Sequence, residues 1–458
     1  VSGDAALVLA AGKGTRMNSS LPKVLHPLAG KPMLVRVLNS LSDAGFPAPA
    51  VVVGYGADSI REAIGGRCTY VLQERQAGTG DAARVGMTVI DPSVRRVLVV
   101  HGDEPMIPGT VYRDMLALQT TTGAAVVLLT THADDARGFG RVVRGGAGPI
   151  ALVQEAELSE EQRSLTEVNL GAYVFEVAFL RALLPELEAH PPRGELYLTD
   201  AVAAAAAQGR RVEAVTMPGG MEVMGINDLI QLEETTRVIY RDTNRRLMAG
   251  GVTIVDSAST FIDEDASIEP DTVVHPFTVI EGATSIGAGC RIGPGSHIIS
   301  STIGDSCSVV ASTVRDARLS REVAVGPYAH IRPGTEIGSG AQIGTHAEVK
   351  GSVIGAGSQM HHFGYVGDAE IGDRVNIGAG VVTCNFDGRR KHRTRVGDGA
   401  FVGSDTMLRA PVEIGEGAYT GAGSVVTHDV GPGERVAGVP ARRLPRRDEE
   451  SEAEQGAS

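Results

Sequence analysis

From Ile262 the chain keeps an apolar residue at every sixth position, through Ile268, Val274, Ile280, Ile286, Ile292 and Ile298, and glycine often follows it, as in Ile286-Gly287 and Ile292-Gly293. After small phase slips the pattern resumes through Ile303, Val309, Val325, Ile331, Ile337, Ile343, Val349, Val366, Ile371 and Ile377, and it returns from Val396 through Val402, Leu408 and Ile414. An α-helix repeats about every 3.6 residues and a strand every two, so neither sustains a period of six. A parallel β-helix does: each hexapeptide forms one flat side of a triangular coil, the Ile or Val stacks inward, and a small residue makes the corner. A disordered glycine-rich tract would not preserve an apolar register. The composition agrees, with 59 Gly, no Trp and only 4% aromatics, as corners and small side chains require.

The first half reads differently. Apolar runs at Ala50 to Val53, Val97 to Val100 and Ala124 to Leu129 alternate with helical stretches such as Met33 to Ala44 and Gly80 to Ile90. That alternation predicts an α/β domain with a mostly parallel sheet covered on both faces, and ligands in such sheets bind beyond the carboxyl ends of the strands. From Asp228 to Ala249 the chain carries abundant charge, apolar Leu229, Leu232, Ile239 and Leu247, and no Pro or Gly, which predicts one long helix closed by Gly250-Gly251. The expected division is a Rossmann-like domain over 1–227, a linker helix over 228–250, the β-helix over 251–445 and a charged, disordered tail over 446–458.

The stretch from Leu9 to His26, LAAGKGTRMNSSLPKVLH, places a glycine turn at Gly12 and Gly14 directly after a short apolar strand. Such a turn exposes backbone N–H groups as an anion cradle, and Lys13, Arg16 and Lys23 surround it with positive charge that suits a triphosphate. The spacing fits neither a dinucleotide fingerprint, which needs a third glycine at Met17, nor a Walker loop. Later loops carry further polar groups. Gln73 to Gly80 combines amides with glycines and can read a base edge, and His101-Gly102-Asp103 sets a carboxylate at a strand end, which suits Mg²⁺, with Asn227 following Gly225 much later.

The string from Leu9 to His26 resembles the signature of the sugar-1-phosphate nucleotidylyltransferases, and the later loops match that family in order. The resemblance implies that a sugar phosphate attacks the α-phosphate of a nucleoside triphosphate and that pyrophosphate leaves. It implies a UTP and UDP-sugar site at Leu9, Ala10, Ala11, Gly12, Lys23, Gln73, Gly78, Thr79, Gly140, Gln154, Asn169 and Asn227, with Arg16 and Lys23 on the phosphates and Asp103 with Asn227 on Mg²⁺. Gly138 to Arg141, Glu167 to Gly171 and Glu195 to Asp200 resemble its remaining active-site segments. Asp81 stands where the uridylyltransferase branch usually has His, His101 where some members have Tyr, and Gln154 where a sugar-contacting Glu is usual.

The hexapeptide half resembles left-handed prisms of trimeric acyltransferases that use acetyl-CoA, and in particular the family of bifunctional N-acetylglucosamine-1-phosphate uridylyltransferase/glucosamine-1-phosphate acetyltransferases. That resemblance implies a glucosamine phosphate site at Arg332, Lys350, Tyr365, Asn376 and Lys391, and an acetyl-CoA site at Ala379, Asn385, Phe386, Ser404 and Ala422. His362 is the implied base, since a protonated amine has to lose a proton before it attacks a thioester and imidazole suits that transfer. Glu348 is a candidate to orient it. The basic segment Thr383 to Arg395 breaks the six-residue register and is expected to leave the prism as a loop. Phe386 replaces a typical Tyr, Thr345 an Asn, Gln359 a Lys, and Gly438 an Arg that would hold the coenzyme, for which Arg442 or Arg443 is a substitute.

Three readings follow: a two-site enzyme making UDP-N-acetylglucosamine, a single-activity nucleotidylyltransferase whose prism serves assembly or regulation, and a non-catalytic assembly subunit. Retained Arg16, Lys23, Asp103 and Asn227 argue against the last, and retained His362, Asn376, Asn385 and Lys391 against the second. A net charge of −13 over 458 residues argues against nucleic acid and anionic membranes as partners. No apolar run is long enough to span a bilayer, and no leader-like segment opens the chain. Cys68, Cys290, Cys307 and Cys384 form no close pair and read as buried thiols in a reducing, cytoplasmic setting.

Overall fold

A computed structural model describes residues 3–444 except 135, 138, 146–147, 154, 156–157, 192–193 and 220–224. The chain forms two compact units, divided between Val238 and Ile239. Among the described residues no helix is long and apolar enough to cross a membrane.

The first unit is built on a nine-stranded sheet. Its parallel core consists of β1 (Asp4–Ala10), β2 (Ala50–Val53), β3 (Thr69–Leu72) and β4 (Arg96–His101), in the spatial order β3-β2-β1-β4. Beyond β4 lie the antiparallel β8 (Glu167–Glu176), then β5 (Val126–His132) and β9 (Val212–Thr216), while the hairpin of β6 (Arg141–Gly145) and β7 (Gly148–Val153) pairs with β8. Alternate residues of β1 feed different cores: Ala6, Val8 and Ala10 join one, Leu7 and Leu9 the other. Both faces are therefore covered, which is why the strand is apolar throughout. The chain reverses direction across the sheet between β1 and β4, and the crevice at their carboxyl ends is where a ligand fits.

Helices α1 (Met33–Asp43), α2 (Ala57–Ile64), α3 (Thr79–Gly86), α4 (Gly109–Thr122), α5 (Val177–Leu183) and α6 (Asp200–Ala207) cover the sheet. α3 stops at Gly86, short of the Ile90 expected from the apolar run. Met87 and Ile90 are buried beyond its end, so their apolar character reflects core packing rather than further helix. Helix α7 runs from Leu229 to Ala249, and Asp228 Oδ1 caps it by accepting from the N–H groups of Ile230 and Gln231 at 3.0 and 2.9 Å.

The second unit is the three-sided coil that the six-residue period predicts. Its sides stack into sheets of twelve, ten and nine short strands, parallel except for the last, Arg442–Arg443. Ile262, Val274, Ile280, Ile292, Ile298, Ile331 and Val349 are completely shielded from solvent in one continuous core, and each such side chain stabilises the fold by roughly 1.5–3 kcal/mol. The phase slips are sides of five residues: Val314, Leu319, Ile354 and Ile371 occupy inward positions in strands of the same three sheets. Corners are less uniform than a small-residue rule implies. Phe277, Tyr328 and His346 occupy corner positions with φ of 59°, 61° and 59°, and stacking of the coils offsets the roughly 1–2 kcal/mol that such a conformation costs a non-glycine residue.

The basic segment leaves the coil later than its register suggests. Thr383 and Cys384 still belong to the strand Val382–Cys384, with the Thr383 hydroxyl turned inward, accepting from Gly367 N–H and donating to its carbonyl. The strand Thr394–Val396 resumes the stack. Cys290 and Cys307 are buried, whereas Cys68 and Cys384 are half-buried, so only two of the four thiols match the reading as core residues. The tail from 446 onward, Gly138 and Gln154 lie outside the described residues.

Candidate functional site

In the first unit the site begins at Gly14. Its φ of +60° turns the chain sharply, and a Cβ there would stand 2.6 Å from Cβ of Lys23, so the loop can close over Lys23 only as glycine. The closure gathers cations around one amide. Arg16 and Lys23 both donate to Oδ1 of Asn227 at 2.9 Å, and the Lys23 ammonium also pairs with Asp103. Asn227 is held in turn, its Nδ2 donating to the Gly225 carbonyl at 2.9 Å and its N–H to Gln231 Oε1 at 2.7 Å. Arg16, Lys23, Asp103 and Asn227 thus converge from opposite ends of the unit, at the carboxyl ends of β1 and β4, where Leu9 lies beside His101 in the sheet.

The electrostatics of this cluster are polarised. Burial alone would raise the Asp103 carboxyl, but the Lys23 ammonium and the neighbouring His101 outweigh it and hold Asp103 below the usual carboxylate range. Glu104 goes the other way, pushed well above its usual range by burial first and by the Asp103 charge second. Burial also lowers His101, and Lys23 adds to that effect while Asp103 opposes it. Sequence reasoning passed over Glu104. Its Oε2 is buried without a partner among the described residues, and only burial, which no local motif reports, marks it out.

His101, Asp103, Glu104, Gly140, Asn169, Gly171, Thr199, Gly225 and Asn227 line one cavity of about 230 Å³. Asn169 Nδ2 donates to the Tyr173 hydroxyl at 2.6 Å, and its Oδ1 is buried with no partner among the described residues. Arg141 is not available to a ligand: it is buried, donating to the Leu165 carbonyl at 2.9 Å and pairing with Glu155 at 3.3 Å. Glu167 is likewise engaged, by Arg144 at 2.5 Å. The loop from Gln73 to Gly80 is clasped to the segment Leu196 to Leu198. Gly80 N–H donates to Leu196 O at 2.8 Å, and Thr79 Oγ1 accepts from Leu198 N–H at 3.0 Å. Gln73 is buried, and both its amide hydrogens are used, toward Asp81 at 2.8 Å and Gly78 O at 3.3 Å. Because a carboxylate only accepts, Asp81 fixes the amide's orientation and leaves Gln73 Oε1 as the acceptor.

The donor set of the first unit fits a hard divalent cation. Asp103 is ionised, Asn227 supplies an amide oxygen, and an orphaned carboxyl oxygen of Glu104 stands beside them.

In the second unit the corner that follows the twelve-stranded sheet carries the other cluster. Gly380 N–H donates to Phe363 O, Asp405 N–H to Ala379 O, and Gly423 N–H to Ser404 O, so His362, Ala379, Ser404 and Ala422 stand on successive coils of one edge. Gly378 and Gly403 permit the stacking, since a Cβ on either would lie 2.5 Å from backbone of the next coil. His362 is exposed and makes no side-chain hydrogen bond or ion pair among the described residues. Glu348 does not orient it. That carboxylate accepts instead from Arg332 at 2.6 Å, because the two are stacked near neighbours on the adjacent sheet and a full cation is the stronger partner.

Lys350, Tyr365, Asn385 and Lys391 meet around Asp368, a residue that no motif singled out. Asp368 accepts from Asn385 Nδ2 at 2.6 Å and lies 3.7 Å from the Lys350 ammonium, and Asn385 also reaches the Tyr365 hydroxyl at 3.4 Å. The Lys350 ammonium lowers the pKa of Lys391, a repulsion that an anion between them would relieve. Asp387 ties the loop carrying Phe386 and Lys391 by accepting from the N–H groups of Arg389 and Arg390 and from His392, and these bonds hold its carboxyl down at about 2. Asn376 lies on the outer face of the twelve-stranded sheet, paired with Phe401. Arg443 lies 3.5 Å from Glu434, whereas Arg442 pairs across from Ala437, next to Gly438.

A family model described as a MobA-like NTP transferase domain matches residues 6–216, and one described as bacterial transferase hexapeptide (six repeats) matches residues 265–300 and 393–428. The chain is 43% identical over 429 residues to the bifunctional protein GlmU of Heliobacterium modesticaldum, spanning 93% of this chain and 94% of that one. It is 42% identical over 425 residues to the protein of the same name from Carboxydothermus hydrogenoformans, spanning 93% and 95%. A third, from Pelobacter propionicus, is 43% identical over 433 residues.

Proposed function

The chain belongs to the family of bifunctional GlmU proteins, and we propose on that premise which residues carry each of its two reactions. It is an enzyme that transfers an acetyl group from acetyl-CoA to glucosamine-1-phosphate and a uridylyl group from UTP to N-acetylglucosamine-1-phosphate, making UDP-N-acetylglucosamine. The match runs through both halves of the chain, which sets aside the single-activity alternative.

For uridylyl transfer, the observation that carries the assignment is the convergence of Arg16 and Lys23 on Asn227, with Lys23 paired to Asp103. The sugar phosphate is already a nucleophile, so the residues contribute alignment and charge neutralisation rather than a base. Arg16, Lys23 and the turn through Leu9, Ala10, Ala11 and Gly12 hold the triphosphate while a phosphate oxygen attacks its α-phosphorus and the bond to the β-phosphate breaks. Gln73 Oε1 accepts from the ring N–H of uracil beside Gly78 and Thr79, and Gly140, Gln154 and Asn169 hold the sugar. Asp103 and Asn227 would bind Mg²⁺, which when bound neutralises developing charge on the phosphates.

For acetyl transfer, His362 takes the proton from the glucosamine amine, and the nitrogen attacks the thioester carbonyl. The carbon–sulfur bond then breaks, and the leaving thiolate regains a proton from the imidazolium. Arg332, Lys350 and Lys391 hold the sugar phosphate, and Tyr365 and Asn376 hold the sugar. Asn385, Phe386, Ala379, Ser404 and Ala422 receive the coenzyme, with Arg442 supplying the charge that Gly438 lacks. The prism assembles as a homotrimer in the cytoplasm, with the small molecules named above as partners.

The test supplies glucosamine-1-phosphate, acetyl-CoA, UTP and Mg²⁺ and follows free thiol and pyrophosphate separately. His362→Ala is expected to abolish thiol release while sparing pyrophosphate formation from N-acetylglucosamine-1-phosphate. Loss of both together would overturn the two-site assignment.

A further inference from the structure

We propose that His101 and Glu104 extend the cation site at Asp103 into a donor set of one nitrogen and two carboxylates that binds Mn²⁺, or a neighbouring first-row cation, more tightly than Mg²⁺. The proposal rests on the reading of Asp103 as a cation ligand given above.

The geometry begins with the turn after β4. Gly102 packs so closely that a Cβ would stand 3.1 Å from Ala10 and 3.2 Å from Val24, and its N–H donates to the Leu9 carbonyl at 2.9 Å. With the turn pinned there, His101 and Asp103 line the cavity together, and Glu104 folds in under Gly171. A Cβ on Gly171 would meet Glu104 Oε1 at 2.4 Å, so the missing side chain of this glycine leaves room for the carboxylate. One donor atom from each of His101, Asp103 and Glu104 lies within 4.8 Å of the others, a grouping that a single ion can draw together. His101 Nδ1 is 3.9 Å from Glu104 Oε1.

Independent support comes from Glu104 itself. The residue is 6% exposed, and its Oε2 has no hydrogen-bond partner among the described residues. Buried carboxyl oxygens are otherwise almost always partnered, and Glu104 lines the same cavity as His101 and Asp103, where a ligand can complete its carboxylate. A cation completes it and offsets the proximity of two carboxylates. The metal class follows from the donors. Mg²⁺ favours oxygen ligands in a tight octahedron and retains its water, whereas an imidazole nitrogen favours Mn²⁺, Co²⁺ or Zn²⁺. Lys23, now paired with Asp103, gains phosphate oxygens as alternative partners when a triphosphate binds.

The experiment uses the full chain stripped by a chelator and titrated with Mn²⁺ under electron paramagnetic resonance, with pulsed measurements for nitrogen coupling and Mg²⁺ as competitor. Wild-type protein is expected to show ¹⁴N coupling from one imidazole, to release Mn²⁺ only at about a tenfold or greater excess of Mg²⁺, and to lose the coupling in His101→Phe. Glu104→Gln, nearly isosteric, is expected to weaken Mn²⁺ binding about tenfold or more. Mn²⁺ bound without nitrogen coupling, and with the same affinity in Glu104→Gln, would overturn the proposal and leave Asp103 as a simple oxygen site. A wild-type chain that binds no Mn²⁺ at all would overturn both this inference and the assignment of Asp103.

Discussion

The Lys23 ammonium donates to Oδ1 of Asn227, 204 residues further along the chain, at 2.9 Å. Arg16 donates to the same oxygen. One neutral amide therefore fixes two cations whose mutual repulsion would otherwise spread the glycine loop. It does so without adding to the negative charge that Asp103, paired with Lys23, already sets against an incoming triphosphate. Asn227→Ala is expected to lower kcat/KM for pyrophosphate formation about 100-fold, the scale for removing one preorganised polar group from a charged transition state. Thiol release from acetyl-CoA is expected to stay unchanged, measured on the same preparation.

Gly14→Ala combines a left-handed φ with a contact at 2.6 Å. The conformation alone costs about 1–2 kcal/mol, and the loop can escape only by lifting away from Lys23. The expected result is roughly a tenfold rise in KM for UTP, with KM for acetyl-CoA unaffected.

Glu104 gives the first unit a signature against pH. Its carboxyl titrates well above 4.5 when folded, so from about pH 4.5 upward the folded state holds a proton that the unfolded state has released. Stability then falls as pH rises through that window. In chelator-treated protein, Glu104→Gln is expected to melt higher than wild type, by a margin that widens from pH 5 to pH 8 in differential scanning calorimetry. A constant margin would contradict the burial argument.

Asp387 is the knot of the loop that carries Lys391. Its carboxyl is held at about 2, so the contacts it makes are present above its ordinary range near 3.8 and are lost only as pH falls toward 2. Asp387→Ala is expected to raise KM for glucosamine-1-phosphate about tenfold with little change in melting temperature, because the loop is exposed and the coil beneath it intact.

Ile331→Ala tests the coil. The side chain is fully buried within the stack, and truncation is expected to cost about 2–5 kcal/mol. Thiol release should fail at lower temperature than in wild type.

Much of this architecture is legible from residue order because its signals are periodic or contiguous. Ile262 to Ile298 announces the coil, and the glycine string from Gly12 with Arg16 and Lys23 announces the phosphate loop. What escaped depends on contacts between distant residues. The five-residue sides at Val314 and Ile354 look like errors of phase until the strands are seen to stack. Thr383 reads as the start of a polar loop but turns its hydroxyl inward onto Gly367. Glu348 stands one coil from Arg332, a pairing that spacing along the chain does not reveal. Glu104 and Asp368 carry no motif, and their roles come from burial and from partners on other strands.

The stacked corner bearing His362, Ala379, Ser404 and Ala422 rises by one strand spacing per coil, about 4.8 Å. It is a graduated gauge made of backbone. A thioester bound there as proposed would be measured by counting turns rather than by meeting a pocket wall. Excising a single turn between His362 and Ala422 would leave a foldable prism whose scale reads one division short.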